Sequence, residues 1–336
     1  SLPPALAAEG AEIAVVLPLY QRVKERFGDQ LKFECYDYVD LAWRHSYCGL
    51  FSLEYRGVTW YFADNERYFR RRGLYGDMDD GERFAFFSKA AVALLPHLAE
   101  YPNVVHCNDW QTALVPVYLR DAGNDLPVVF TIHNVEYQGK YGPETVEDLF
   151  GLNRGWYDGG ILRMDGCVNL MKGAILASSQ VTTVSPTYAQ ELRLPFYAHG
   201  LAGVINEQSG KLQGILNGID TQLYDPAATS GLAANFSARS LVKGKAECKL
   251  ALQRAVGLEE NADVPIIACI SRLVGHKGFS LVTDALHEIM AMNVQMVVLG
   301  TGDWQYEAAF REAQVQYPGR FAAQITYSAP LSTVIY

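Results

Sequence analysis

The chain has 336 residues, 49% of them hydrophobic and 19% charged, with a formal net charge of −9. That is enough chain for two cores and too apolar a composition for disorder. The negative balance argues against a nucleic-acid or anionic-membrane partner, since either selects a basic footprint.

Residues 1–10, SLPPALAAEG, have helical composition but no strand before them, and the sequence stops at Tyr336 inside a new helix after Pro330, so both ends read as cut. Short β-branched runs follow at 12–18 (EIAVVLP), 103–107 (NVVHC), 126–132 (LPVVFTI) and 180–184 (QVTTV). Helical stretches lie between them near 82–99, 111–121 and 168–178, the alternation expected of parallel βαβ units. Residues 46–64 alternate with period two and predict an antiparallel hairpin. A second series follows a polar segment carrying Pro226. Its helices are 244–257, 278–290 and 303–314, and its strands are 264–270, 294–300 and 321–327. Two α/β units therefore stand in tandem, divided near residue 217.

No apolar run reaches the ~18–20 residues of a membrane helix, and no signal-peptide pattern opens the chain. Cys35, Cys48, Cys107, Cys167, Cys248 and Cys269 lack metal-ligand spacing and fit reduced core thiols of a cytosolic protein.

Ligands of open parallel sheets bind beyond the carboxyl ends of the strands, so the residues just after each strand are the candidates. In ISRLVGHKGF (270–279), Arg272 and Lys277 flank a glycine turn before a predicted helix start. A guanidinium, an ammonium and helix N-terminal amides together suit a diphosphate, although a surface loop with idle cations would read the same. Gly300 and Gly302 follow the next strand, as a close approach to a ligand or as a plain turn capped by Asp303. Asp109 and His133 follow two strands of the first unit, where Asp109 is also a good helix cap. Ser185 and Pro186 read as a cap and first helical turn, and Asn217-Gly218 as a turn or hinge at the junction. Asp77-Met78-Asp79 has the spacing of a metal-binding Asp-x-Asp, but it precedes a helix whose dipole favours acids and reads as a solvated face. Arg70-Arg71-Arg72 reads as a solvated loop.

HCNDWQTAL, TIHNVEYQGKY, TTVSPTYAQEL, ILNGID and SRLVGHKG, in that order, resemble the bacterial glycogen synthase and plant starch synthase family across the chain. The resemblance implies the GT-B fold, an α/β architecture of two Rossmann-like doubly wound domains facing across a cleft. Residues 1–217 would form the first, lacking its opening strand, and 218–336 part of the second. It implies transfer of glucose from ADP-glucose to the non-reducing end of an α-1,4-glucan with retention of configuration. The partners would be the nucleotide sugar and the glucan, with no metal or other cofactor, in the cytoplasm or, in a plant, the plastid.

Residue by residue, the resemblance implies that Arg272 and Lys277 hold the donor diphosphate. His133 would bond the transferred glucose near its 6-hydroxyl, with Asp109 beside glucose and acceptor and Asn217 reaching the sugar. Tyr75 would touch the acceptor, Tyr327 would lie near the adenine, and Gly300 and Gly302 beside the nucleotide. The family's Lys-Thr-Gly-Gly loop and Glu-Pro-Cys-Gly segment lie outside these residues. His276 stands where glutamine is usual, and Thr326 where glycine is common. Two other readings stay open: an inactive fragment or non-catalytic glucan- or nucleotide-binding module, and a related transferase with a smaller acceptor.

Overall fold

The computed structural model describes residues 2–336, which divide into two compact units, one ending at Gly218 and one running from Ile219 to Tyr336. Both are α/β and contain the parallel pairing that the alternation of runs predicts, to which the first unit adds antiparallel strands.

In the first unit, β1 (Ala14–Pro18), β2 (Lys32–Leu41), β3 (Arg44–Tyr55) and β4 (Val58–Asp64) form a sheet in the order β1-β4-β3-β2. β1 lies parallel to β4, while β2, β3 and β4 are antiparallel neighbours. The predicted hairpin is thus the β3–β4 pair. The edge strand β2 was not anticipated, because its acidic residues and exposed tyrosines break the apolar signal. A second sheet, ordered β11-β10-β6-β5, is all parallel: β5 (Val105–Asn108), β6 (Val128–Ile132), β10 (Gln180–Thr183) and β11 (Leu212–Gly214). The four runs expected as one series therefore fall in two sheets. β7 (Lys140–Tyr141), β8 (Arg163–Met164) and β9 (Cys167–Asn169) make a small antiparallel sheet.

Helices Asp80–Ala93, Leu114–Asp121 and Leu170–Ala177 bury Phe86, Val117 and Met171 against Phe130 and Ile132 of β6 in one continuous core. Each such side chain contributes about 1.5–3 kcal/mol when fully buried.

The second unit places β12 (Ile266–Ile270), β13 (Gln295–Leu299) and β14 (Phe321–Gln324) side by side and parallel. The central strand β13 is buried throughout. Met296 and Val298 pack with Phe279, Met290 and Phe310 on one face, and Val297 and Leu299 with Leu252, Val256 and Ile335 on the other. A strand covered by helices on both faces must read as an unbroken apolar run, which is why VQMVVLG was recognisable. The predicted helix over 278–290 is instead two short helices, Phe279–Asp284 and Leu286–Ala291. Thr283 bonds back through Oγ1 to the carbonyls of Phe279 and Ser280, a local competitor of the helical ladder.

No described helix is long and apolar enough to cross a membrane. All six cysteines are free. Burial pushes the Cys48 and Cys107 thiols up to about 12, so both stay protonated and inert. Cys167 is exposed, contrary to the expectation of core thiols.

Candidate active site

In the first unit the carboxyl ends of β5 and β6 bring Asp109 and His133 together. The His133 backbone N–H donates to Asp109 Oδ1 at 2.8 Å, and the Asp109 N–H donates to the Thr131 carbonyl at 3.0 Å. Asp109 does not cap the following helical turn as anticipated, because its side chain accepts nothing from that turn. It sits at φ 57°, ψ −177°, a region used almost only by glycine and costing a non-glycine residue about 1–3 kcal/mol. The strained backbone turns the carboxylate across to the neighbouring strand end. His133 Nε2 lies 3.0 Å from Asn108 Oδ1. In the tautomer in which Nε2 donates to that oxygen, Nδ1 is left to accept from a hydroxyl.

Behind this pair, His106 Nε2 meets Thr131 Oγ1 at 2.6 Å, which meets Thr182 Oγ1 at 2.6 Å. Burial first, and the nearby His133 second, hold the His106 imidazole below its usual value and favour its neutral form. Ser185 and Pro186 behave as read: Ser185 Oγ accepts from the Tyr188 N–H and Pro186 opens the helix Pro186–Glu191. The Tyr188 hydroxyl in turn accepts the Val135 N–H at 3.1 Å, tying the segment after His133 to the next strand end. Asn217 lies beyond β11 and is exposed.

Tyr75, 55% exposed, lies on a loop held by a charge network that sequence reasoning missed. Arg83 is fully buried in the helix Asp80–Ala93. It donates to the Tyr68 carbonyl at 2.8 Å, to Asp77 at 3.0 Å, to Asp80 and to the Leu74 carbonyl. Asp80 accepts the Gly76 N–H at 2.6 Å, and Arg71 pairs with Asp79 at 2.6 Å. Burial raises the Asp79 carboxyl, but the bond and charge of Arg71 outweigh it and hold it below its usual value. Asp77 and Asp79, with side chains 40% and 41% exposed, are solvated as expected, but they are also paired with Arg83 and Arg71, so Arg71 does more than fill a solvated loop. The three carboxylates Asp77, Asp79 and Asp80 come within 4.8 Å of one another, yet each already faces a guanidinium. The one sequence clue was a charged residue inside the apolar run RFAFF.

In the second unit, Arg272 and Lys277 lie on the connection leaving β12, and both are exposed. Neither side chain has an ion pair or hydrogen bond among the described residues. The connection differs from expectation. Gly275–Lys277 form a 3₁₀ turn, Gly278 takes a left-handed conformation (φ 77°), and the six-residue helix begins only at Phe279. Lys277 thus precedes the helix and is held by the turn, whose Lys277 N–H bonds the Val274 carbonyl at 3.0 Å.

Gly300 and Gly302 follow β13. A Cβ at either would collide with the backbone of Ser271 or Leu273, and the Gly302 N–H is taken by Glu307 Oε1 at 3.0 Å. What these glycines admit is the β12 connection itself, fixed by the Leu273–Thr301 and Asp303–Leu273 backbone bonds. They hold Arg272 in place from below. Asp303 sits at the helix start without a side-chain cap bond. Tyr327, 85% exposed, lies three residues past the end of β14 rather than inside the strand.

Two parallel-sheet units presenting polar side chains just beyond their strand ends define a doubly wound α/β protein equipped to hold a polar ligand there. Residues 1–207 match the family described as the starch synthase catalytic domain, and the chain belongs to that family. It is 43% identical to a glycogen synthase of Streptococcus agalactiae over all of this chain and 72% of that protein. It is 42% identical to a glycogen synthase of Lactobacillus acidophilus over the same shares. The catalytic domain of starch synthase IV from Arabidopsis thaliana, solved bound to ADP and acarbose, superposes with a TM-score of 0.91 at 32% identity, covering 100% of this chain and 71% of that one. The chain is a glycosyltransferase of the glycogen and starch synthase type, with the Rossmann-like α/β architecture of GT-B enzymes.

Proposed function

We propose that the chain transfers glucose from ADP-glucose to the non-reducing end of an α-1,4-glucan with retention of configuration. The observation that carries this reading is the pair of exposed cations, Arg272 and Lys277, left without acidic partners on one strand connection. Membership of the family and the ADP and acarbose held by its starch synthase IV relative support the same donor and acceptor classes.

Breaking the bond between the anomeric carbon and the diphosphate oxygen puts negative charge on the leaving group while the sugar becomes oxocarbenium-like. Arg272 and Lys277 stabilise that charge, a preorganised electrostatic contribution typically worth several kcal/mol. His133 Nδ1 accepts from a glucose hydroxyl near C6. Asp109, fixed against the His133 amide, orders that strand end and lies beside glucose and acceptor. The acceptor hydroxyl attacks from the face the diphosphate leaves, and its proton passes to the departing phosphate oxygen. Asn217 contacts the sugar, Tyr75 the glucan and Tyr327 the adenine. Gly300 and Gly302 border the nucleotide while keeping Arg272 in register. The first unit so handles sugar and acceptor, and the second the nucleotide. The six free cysteines agree with a reducing compartment, the cytoplasm or a plastid.

Incubation with labelled ADP-glucose and glycogen tests the reading. Polymer-bound label in new α-1,4 linkages, with one ADP released per glucose and slower reaction from UDP-glucose, is expected. No incorporation would mark a binding module or an inactive piece. Preferential labelling of a sugar phosphate would mark a small-acceptor transferase.

A further inference from the structure

We propose that the outer face of the β2–β3 ribbon is a second, non-catalytic binding surface for a neutral α-glucan, a proposal that rests on the acceptor class assigned above. The ribbon has two unlike faces. Val39, Leu41, Cys48 and Leu50 point inward and are at most 2% exposed in the main core. On the other face Tyr38 stands opposite Tyr47, Asp40 opposite His45, and Tyr36 opposite Gly49. These positions would ordinarily carry small polar or charged groups, yet Tyr36 is 59%, Tyr38 49% and Tyr47 39% exposed.

The rings form one connected array. Tyr38 and His45 stack at 4.6 Å and 4°, Tyr36 and Tyr47 at 5.8 Å and 28°, and Tyr36 meets Tyr38 edge-on at 6.2 Å. A Cβ at Gly49 would strike the Tyr47 hydroxyl and the Phe51 ring, so that glycine lets Tyr47 lie down beside Tyr36. Cross-strand ring pairs stabilise a ribbon, but such stabilisation favours burial, and these rings keep about half their surface in water. A contiguous exposed aromatic surface of this kind marks a binding face.

Charge selects the occupant. β2 carries Glu34, Asp37 and Asp40 against one cation, Lys32, which is paired with Glu34 at 2.9 Å. On β3, Arg44 is turned to Glu82 and to the Asp148 carbonyl. Phosphate-bearing polymers and anionic lipid would be repelled. A second copy adding to the β2 edge would set acids against acids and meet the register shift between Phe33 and Cys35. The chemistry left is an uncharged chain whose C–H faces pack on rings and whose hydroxyls donate to Asp40 and exchange bonds with tyrosine hydroxyls. An α-glucan has that chemistry. A second grip on a long polymer raises retention by effective concentration without altering turnover of short acceptors.

The test uses the full chain and the variant Tyr36→Ser/Tyr38→Ser, with glycogen co-sedimentation in the absence of donor. Roughly tenfold weaker glycogen retention is expected, with unchanged KM for ADP-glucose and for maltotetraose. Undiminished retention overturns the proposal. So does a parallel loss of maltotetraose turnover, and so does a dimer that dissociates in the variant by sedimentation velocity, which would assign the face to a second copy. Should the double variant fail to fold, Tyr36→Ser alone, at the most exposed ring of the array, decides by the same retention assay. A wild-type chain that retains glycogen but transfers no glucose would sink the catalytic reading and leave this one standing.

Discussion

Replacing Lys277 with glutamine is expected to lower kcat/KM for ADP-glucose roughly a hundred- to a thousandfold, the usual cost of removing one preorganised group from a developing anion. Glutamine keeps most of the side chain's length and its ability to donate, so the loss reports charge. Lys277 has no structural partner among the described residues and sits on a turn closed by backbone bonds, so stability should change by no more than about 0.5 kcal/mol. The loss is expected in kcat as well as KM, because the charge it stabilises is largest at the transition state. Arginine at 277 should restore only part of the activity, since a planar fork does not occupy the place of a compact ammonium. KM for the glucan should stay as it is. A Lys277→Gln enzyme with normal turnover would remove the cation from the mechanism.

The second large effect concerns stability. Arg83→Met is expected to destabilise the first unit by about 3–5 kcal/mol, because it strands the mostly buried Asp80 without its guanidinium and leaves the more exposed Asp77 only Arg71 at 3.7 Å. In a unit of this size that corresponds to a fall in melting temperature of the order of 10 °C. Adding Asp80→Asn should recover part of the loss, as removing both charges is milder than orphaning one. The same network anchors the Leu74 carbonyl and the Gly76 N–H on either side of Tyr75. The single variant should therefore also raise KM for the glucan more than KM for ADP-glucose. Differential scanning calorimetry and steady-state kinetics check both, and an Arg83→Met protein melting with the wild type would contradict the account.

These two residues also show what a sequence displays and what it conceals. Lys277 was legible because it sits in an ordered series of motifs and follows the apolar run of β12, even though that strand is itself only partly buried. Arg83 was not, since its meaning depends on Tyr68, Leu74 and Asp77, which arrive from a separate loop. The same distinction holds through the fold. β6, β12 and β13 were read nearly to their ends, whereas β2, an edge strand with acids and tyrosines, was missed. The cap at Ser185 was foreseen because a cap is local. The left turn at Asp109 was not, because its compensation comes from His133 across the sheet. Gly300 and Gly302 were visible as glycines, but the Ser271 and Leu273 backbone they accommodate was not.

Calorimetric binding of ADP and of AMP to the full chain, with and without Lys277, tests the assignment of the diphosphate most directly. The account predicts that wild type binds ADP at least tenfold more tightly than AMP, about 1.4 kcal/mol, and that Lys277→Gln erases most of that difference while leaving AMP affinity nearly constant. Equal affinities for ADP and AMP in the wild type, or a preference for ADP that survives the substitution intact, would contradict it.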